Sequence, residues 1–343
     1  MTEFGLIEYV AKLFGDVDRQ GWEAIGDDCT VLPIGGGEVI VMTTDMLQED
    51  VHFLRSATSA RELGRKSLAV NLSDVAAMGV RPVAALLSLA LPAELTEGWA
   101  KEFVDGFHSL AAEHNVALVG GDTTSSKSGV SINVVAIGRG RAECVKRRSA
   151  AKVGDRIYVA GELGASALGL KDILAGNLST DFAAVHRNPE PQIAEGEWLG
   201  KRGEVHAMMD LSDGLASDLC HILKLSGCGA EVEIESVPAV AGDVESAVCG
   251  GEDYKLLFTV DGSAAEQFER EFQQRFGRLP YCVGTIISSS EPRIHWLKGG
   301  EEIAPSWRGF SHFKSLFCLF RNCLAMARAS SKASIFVMIA IAA

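Results

Sequence analysis

From Glu38 to Thr44 (EVIVMTT) β-branched and apolar residues run together and Asp45 follows directly, which predicts a buried strand ending in a carboxylate. Arg61 to Met78 then places Leu63, Leu68, Leu72, Val75 and Ala76 at helical spacing, behind a Ser59 able to cap the first turn. The alternation continues. Val83 to Leu91 reads as a buried strand, Glu97 to His114 as an amphipathic helix, and Val116 to Val119 as a short strand closed by a Gly120-Gly121-Asp122 turn; Val130 to Ile137 reads as another strand. After a segment rich in Lys, Arg, Ala and Ser, Arg139 to Gly154, the pattern restarts. Strands are predicted at Arg156–Ala160, His206–Met209, Ala230–Ile234 and Leu256–Val260, and helices at Ala165–Leu174, Gln192–Leu199 and Leu215–Leu225. Such alternation predicts two α/β domains, and 343 residues suit two cores of ~150 residues better than one.

With 47% hydrophobic and 22% charged residues the chain has enough apolar surface for large cores, which argues against a mainly disordered protein. Its formal charge of −13 disfavours a nucleic-acid backbone or an anionic membrane as the main partner. Eight cysteines without a C-x-x-C pair, and an N-terminus without a signal-peptide pattern, are read as reduced thiols in a cytoplasmic protein. Residues 314–343 stand apart, with Lys314, Arg321, Arg328, Lys332 and no acid. Their closing run IFVMIAIAA is far shorter than the ~20 residues a membrane span requires.

Aspartates recur where apolar strands end or beside glycine: Asp27 and Asp28 in IGDDC, Asp45 in MTTD, Asp122 in GGDTT, Asp210 and Asp213 in MDLSDG, and Asp253 in GGEDY. Asp74 interrupts a face of small and apolar residues in NLSDVAAMG. Strand ends of α/β domains share a rim where ligands bind, so these carboxylates are expected to converge. Converging carboxylates repel unless a cation neutralises them, and hard oxygen ligands suit Mg²⁺, which leaves positions for water and phosphate. Each aspartate alone also fits a turn or a cap. Gly120-Gly121, Gly161 with Gly164, Gly214 and Gly250-Gly251 offer backbone approaches to phosphate. GASALGLK lacks the ending of a P-loop, and DLSDGLASD lacks the alternating acids of an EF-hand. Arg148, in KRRSAAKVGD, reads either as a phosphate contact or as a solvated linker residue.

In their order, IGDDC, TTD with His52 beyond it, NLSDVAAMG, GGDTT, RSAAKVGD, LSDGL, GGEDY and WRGFSHF resemble the thiamine-monophosphate kinases, over about residues 1–313. That family belongs to the superfamily of aminoimidazole ribonucleotide synthetase and selenophosphate synthetase. The resemblance implies a two-domain α/β (α+β) aminoimidazole ribonucleotide synthetase-like fold. Residues 1–147 would form an N-terminal sheet domain that binds ATP and Mg²⁺ and dimerises, and 148–313 a C-terminal α/β domain closing over nucleotide and substrate; 314–343 is an atypical tail. The implied reaction is direct in-line transfer of the γ-phosphoryl of ATP to thiamine monophosphate, assisted by several Mg²⁺ ions, with no protein base assigned. By the same resemblance Asp28, Thr43, Thr44, Asp45, Asp74, Asp122, Asp210 and Asp213 would hold the metals. Gly121, Asp122, Arg148 and Ser212 would contact ATP, and His52, Glu252 and Phe310 the thiamine monophosphate; Trp307 is a neighbour without a role. A homodimer is implied. The alternatives are another phosphotransferase of the superfamily and a catalytically silent Mg-nucleotide-binding scaffold.

Overall fold

The computed structural model describes residues 3–307 and 309. After a first helix, α1 (Glu3–Leu13), the chain forms the antiparallel pair β1 (Thr30–Gly35) and β2 (Glu38–Gln48). Helix α2 (Ala60–Ala77), strand β3 (Arg81–Pro92), helix α3 (Glu97–Glu113), and strands β4 (Ala117–Ser126) and β5 (Ser131–Arg141) follow. The five strands make one sheet of order β1-β2-β5-β3-β4, in which only β3 and β4 run parallel. That parallel pair is joined through α3, the crossover a parallel connection requires.

Ser59 caps α2 as the pattern predicts: its side chain accepts from the Glu62 backbone N–H, and Glu62 answers at the Ser59 N–H, closing a capping box. Leu63, Leu68, Leu72 and Val75 of α2, with Phe103, Phe107 and Leu110 of α3, share one core with Val41 of β2, Leu87 of β3 and Val134 and Ala136 of β5. The two helices touch backbone to backbone. A Cβ at Gly64 would stand 2.0 Å from the Phe103 carbonyl, and one at Gly106 would stand 2.0 Å from that of Arg61, so both positions require glycine.

The second half builds β6 (Arg156–Val159), α4 (Ala165–Leu174), α5 (Asp181–Arg187), α6 (Ile193–Gly200), β7 (Val205–Asp210), α7 (Leu215–Ser226) and β8 (Gly229–Glu233). Then come α8 (Val244–Cys249), β9 (Leu256–Val260), α9 (Ala265–Phe276), β10 (Tyr281–Ile287), β11 (Ile294–Lys298) and β12 (Glu301–Ile303). Their sheet runs β12-β11-β8-β10-β6-β9-β7. One of its cores is aromatic: Tyr158 stacks on Phe258, and Phe268 and Phe272 of α9 pack around Trp198. The α/β expectation holds. Helix α2 also meets this half, because Gly196 of α6 lies against the Ala76 backbone, where a Cβ would come within 2.3 Å of the carbonyl.

Three readings of the pattern need correction. Gly120-Gly121-Asp122 is not a turn: β4 continues through it to Ser126, because the segment pairs backbone to backbone with β3. Gly121, at φ +153°, permits that pairing, since a Cβ there would lie 1.8 Å from the Leu87 carbonyl. Asp45 lies inside β2 rather than beyond it, and β5 runs on to Arg141, into the segment expected to be linker. The tail 314–343 lies outside the described residues.

Candidate active site

Four elements bring carboxylates together. Asp28 comes from the loop before β1, Asp45 from β2, Asp74 from the C-terminal part of α2, and Asp210 from the end of β7. Carboxylate oxygens of Asp28, Asp74 and Asp210 lie within 4.8 Å of one another. Burial, together with repulsion from Asp28, pushes Asp45 up to about 6 and Asp210 to about 7. Asp74, pressed by burial and by Asp45, Asp210 and Asp28, is held well above the ordinary range. The Thr43 hydroxyl donates to Asp74 Oδ2 (2.6 Å) and Ser73 donates to Asp210 Oδ2 (2.5 Å), while Asp28 Oδ2 is buried without a hydrogen-bond partner. A set of acids that is buried or half-buried, mutually repelled and left with an orphan oxygen fits a hard divalent cation.

Arg148 closes one side of this group. Its guanidinium donates to Asp28 Oδ1 and its backbone N–H to Asp27 Oδ1, so it is an anchored residue and not a solvated linker cation. Burial lifts Asp27 to about 7. Arg148 Nε is buried with no partner, a second orphan beside the acids. Asp213 belongs to a neighbouring group with Asp218 and His221, whose ligating atoms also lie within 4.8 Å of one another. Asp218 Oδ2 is committed to the backbone N–H groups of Asp213 and Gly214, at the start of α7. On β2, Asn71 Oδ1 accepts from the Asp45 N–H, and Thr44 Oγ1 accepts from Asn133.

A second group gathers around Glu252. The residue sits at φ +63°, a left-handed conformation that a non-glycine side chain adopts at a cost, held by its N–H bond to the Ser212 carbonyl (2.8 Å). Its Oε2 accepts from Lys66 Nζ at 2.9 Å and lies 3.4 Å from His186 Nδ1. Burial pushes the Glu252 carboxyl up, but Lys66, His186 and His52 together pull it below the ordinary value. His52 is thus the weakest of the three charges that act on Glu252. Asp253 goes elsewhere, accepting from the Gly164 and Ser166 N–H groups as a cap for α4.

Gly121 and Asp122 are not brought to the acids within one chain. Along the sheet register Asp45 pairs with Val134, Val134 with Leu87, and Leu87 with Gly121, which puts β4 three strand spacings, roughly 14 Å, from β2. Both residues are exposed on the edge strand. Phe310 lies outside the described residues, and Trp307 packs edge-on against Trp296 with ring centroids 5.0 Å apart. The motif reading missed Lys66, Ser73, Asn71, Asp218 and His186. Ser73 and Asn71 had a visible signal, as polar residues on the apolar helix that carries Asp74.

Residues 26–140 match the AIR synthase related protein N-terminal domain, and residues 152–296 the corresponding C-terminal domain. Thiamine-monophosphate kinase of Haemophilus influenzae is 36% identical over 338 residues, covering 92% of this chain and 98% of that protein. Among solved structures, one described as AaThiL complexed with AMPPCP and TMP superposes with a TM-score of 0.77 at 29% identity, covering 91% of this chain and 97% of its own. The crystal structure of thiamine-monophosphate kinase from Stenotrophomonas maltophilia gives 0.70 at 34% identity, covering 88% and 98%. With both domain families matched in order and the relatives covered almost end to end, the chain belongs to the AIR synthase related proteins and, within them, to the thiamine-monophosphate kinase family.

Proposed function

We propose that this chain transfers the γ-phosphoryl group of ATP to thiamine monophosphate, giving thiamine diphosphate and ADP, with Mg²⁺ held by Asp28, Asp45, Asp74 and Asp210. The observation that carries the reading is the triad of buried Asp28 and Asp210 with half-buried Asp74, whose oxygens lie within 4.8 Å of one another around an unpartnered Asp28 oxygen. A terminal phosphate oxygen of the acceptor forms the new bond to the γ-phosphorus as the bond to the β-bridging oxygen breaks. That oxygen is already ionised, so no side chain has to remove a proton. The difficulty is to hold two polyanions in line. Mg²⁺ bound at the acids would supply charge neutralisation at the phosphates.

The chain's own residues do the positioning. Arg148 faces the acids with a half-buried guanidinium that Asp28 keeps oriented, and its charge and unpaired Nε suit a phosphate oxygen. Glu252 and His52 form the acceptor end, joined by Phe310 on the motif alone. Residues 1–147 and 148–313 act as two domains meeting along α2. Gly121 and Asp122 reach a nucleotide only if β4 is brought to an active site by a second copy, so the working form is a homodimer built on the exposed edge of the first sheet. The setting is the cytoplasm; among the described residues no helix is long and apolar enough to cross a membrane.

The test incubates the purified chain with ATP, thiamine monophosphate and Mg²⁺, and follows thiamine diphosphate and ADP by chromatography. Equimolar appearance of both, abolished by a chelator and restored by Mg²⁺, is expected. ATP hydrolysis without thiamine diphosphate, or transfer indifferent to chelation, would refute the reading.

A further inference from the structure

Lysine is rarely found deep in a protein, and a buried ammonium must be matched by an acceptor of opposite charge. Lys66 is 1% exposed, in the middle of α2. Its ammonium reaches across to the second half of the chain, donating to Glu252 Oε2 at 2.9 Å and to the His186 carbonyl at 3.2 Å. No other carboxylate is given to it among the described residues. His186 lies beside the same oxygen and adds to the pull on it, but burial and the neighbouring Lys66 lower His186 to about 4, so Lys66 is the larger charge acting there; His186 Nδ1 lies 2.9 Å from the Ser166 hydroxyl.

Three features make this more than a buried ion pair. Glu252 holds a left-handed backbone that its side chain does not favour, so something must over-determine its placement. Lys66 and His186 both take the same oxygen, Oε2, from opposite partners in the fold, so the carboxylate is held in one place. Lys66 also lies seven residues before Ser73 on one helix, two turns or about 10 Å along the axis. Ser73 fixes Asp210 at the acid cluster while Lys66 fixes Glu252, so the same face of α2 grips the second half of the chain at both groups.

We propose that Lys66 is a positioning residue for the phosphoryl acceptor: it keeps the Glu252 carboxylate ionised, and aims it at the cationic, aromatic part of thiamine monophosphate. This rests on the proposed reading of Glu252 as an acceptor contact. Without the ammonium the half-buried carboxylate takes up a proton or turns to water, and the acceptor loses a charged partner while the nucleotide loses nothing.

The experiment measures KM for thiamine monophosphate and for ATP, and kcat, in the full chain and in Lys66→Met, Glu252→Gln and the double variant. Lys66→Met is expected to raise the acceptor KM about tenfold or more, as loss of one charge-assisted contact does, with the ATP KM within about twofold of the parent. The double variant should match Glu252→Gln, because Lys66 has no carboxylate left to position. If Lys66→Met raises both KM values alike, or lowers kcat alone, Lys66 is a structural residue and the proposal falls. If Lys66→Met does not fold, the double variant decides: equality with Glu252→Gln supports the proposal and a markedly higher acceptor KM overturns it. An acceptor KM unchanged by Glu252→Gln would instead sink the reading of Glu252, and the proposal with it.

Discussion

Asp74→Asn separates what the acid cluster costs the protein from what it does. The carboxylate oxygens of Asp28, Asp74 and Asp210 lie within 4.8 Å of one another, and at an effective dielectric constant of ~20 each such pair of charges repels by about 3 kcal/mol. Asparagine removes the Asp74 charge while its amide oxygen still accepts the Thr43 hydroxyl. Below about pH 7 part of the repulsion is relieved in the parent, because Asp45 and Asp210 take up protons, so the comparison is made above that pH and counts one ionised pair. The net gain for the metal-free variant is therefore about 3 kcal/mol at pH 8.5, roughly 5–10 °C in Tm. The sign follows from the raised values. Below about pH 4 the carboxyls are protonated folded or unfolded, so the substitution is nearly silent there. As pH climbs through 7, where Asp210 titrates, the parent loses stability that the variant keeps. Mg²⁺ reverses the order, raising the parent's Tm by binding the folded state only, by about 2.7 kcal/mol at a hundred times its Kd, while the variant responds weakly. Thermal melts at pH 4, 7 and 8.5, with chelator and with Mg²⁺, read all of this, and a transfer assay should show most activity gone. A metal-free variant no more stable than the parent at pH 8.5, or equal Mg²⁺ shifts in both, would refute a shared cation site.

Arg148→Ala should weaken ATP binding about ten- to hundredfold, the loss of a charge-assisted phosphate contact, measured by calorimetry with MgATP; an unchanged Kd would leave Arg148 as no more than the partner of Asp28. His186 is neutral when folded because burial depresses it to about 4, so its contribution to stability is intact above about pH 6.5 and is lost as pH falls toward 4. His186→Gln, which can still bond Ser166, should spare about 3 kcal/mol of the acid loss between pH 7 and pH 4, seen as a smaller fall in Tm; equal falls would show that His186 does not titrate on unfolding.

Much of the architecture was written in local pattern. A seven-residue run rich in β-branched residues marks β2, and the 3.6-residue spacing behind Ser59 marks α2, because periodicity and capping act within a few residues and survive whatever packs on them. The acids were legible as well, since charges set among apolar and glycine residues are costly without a role. What the pattern hid was decided by pairing between distant segments. Whether GGDTT turns or continues depended on β3 lying beside it, a contact between residues more than thirty positions apart. The same holds for the destinations of the acids: Asp210 reached the cluster, Asp253 went to the start of α4, and Asp122 stayed on an edge three strands away. Lys66 is the sharpest case. On a helix, a lysine between Arg65 and Ser67 reads like any solvated cation, and only the packing of α2 against the second half of the chain buries it on Glu252. Local sequence sets backbone propensity and which face is apolar. The partner of a buried charge is set by long-range geometry, because Coulomb energy depends on a distance through space that no spacing along the chain encodes.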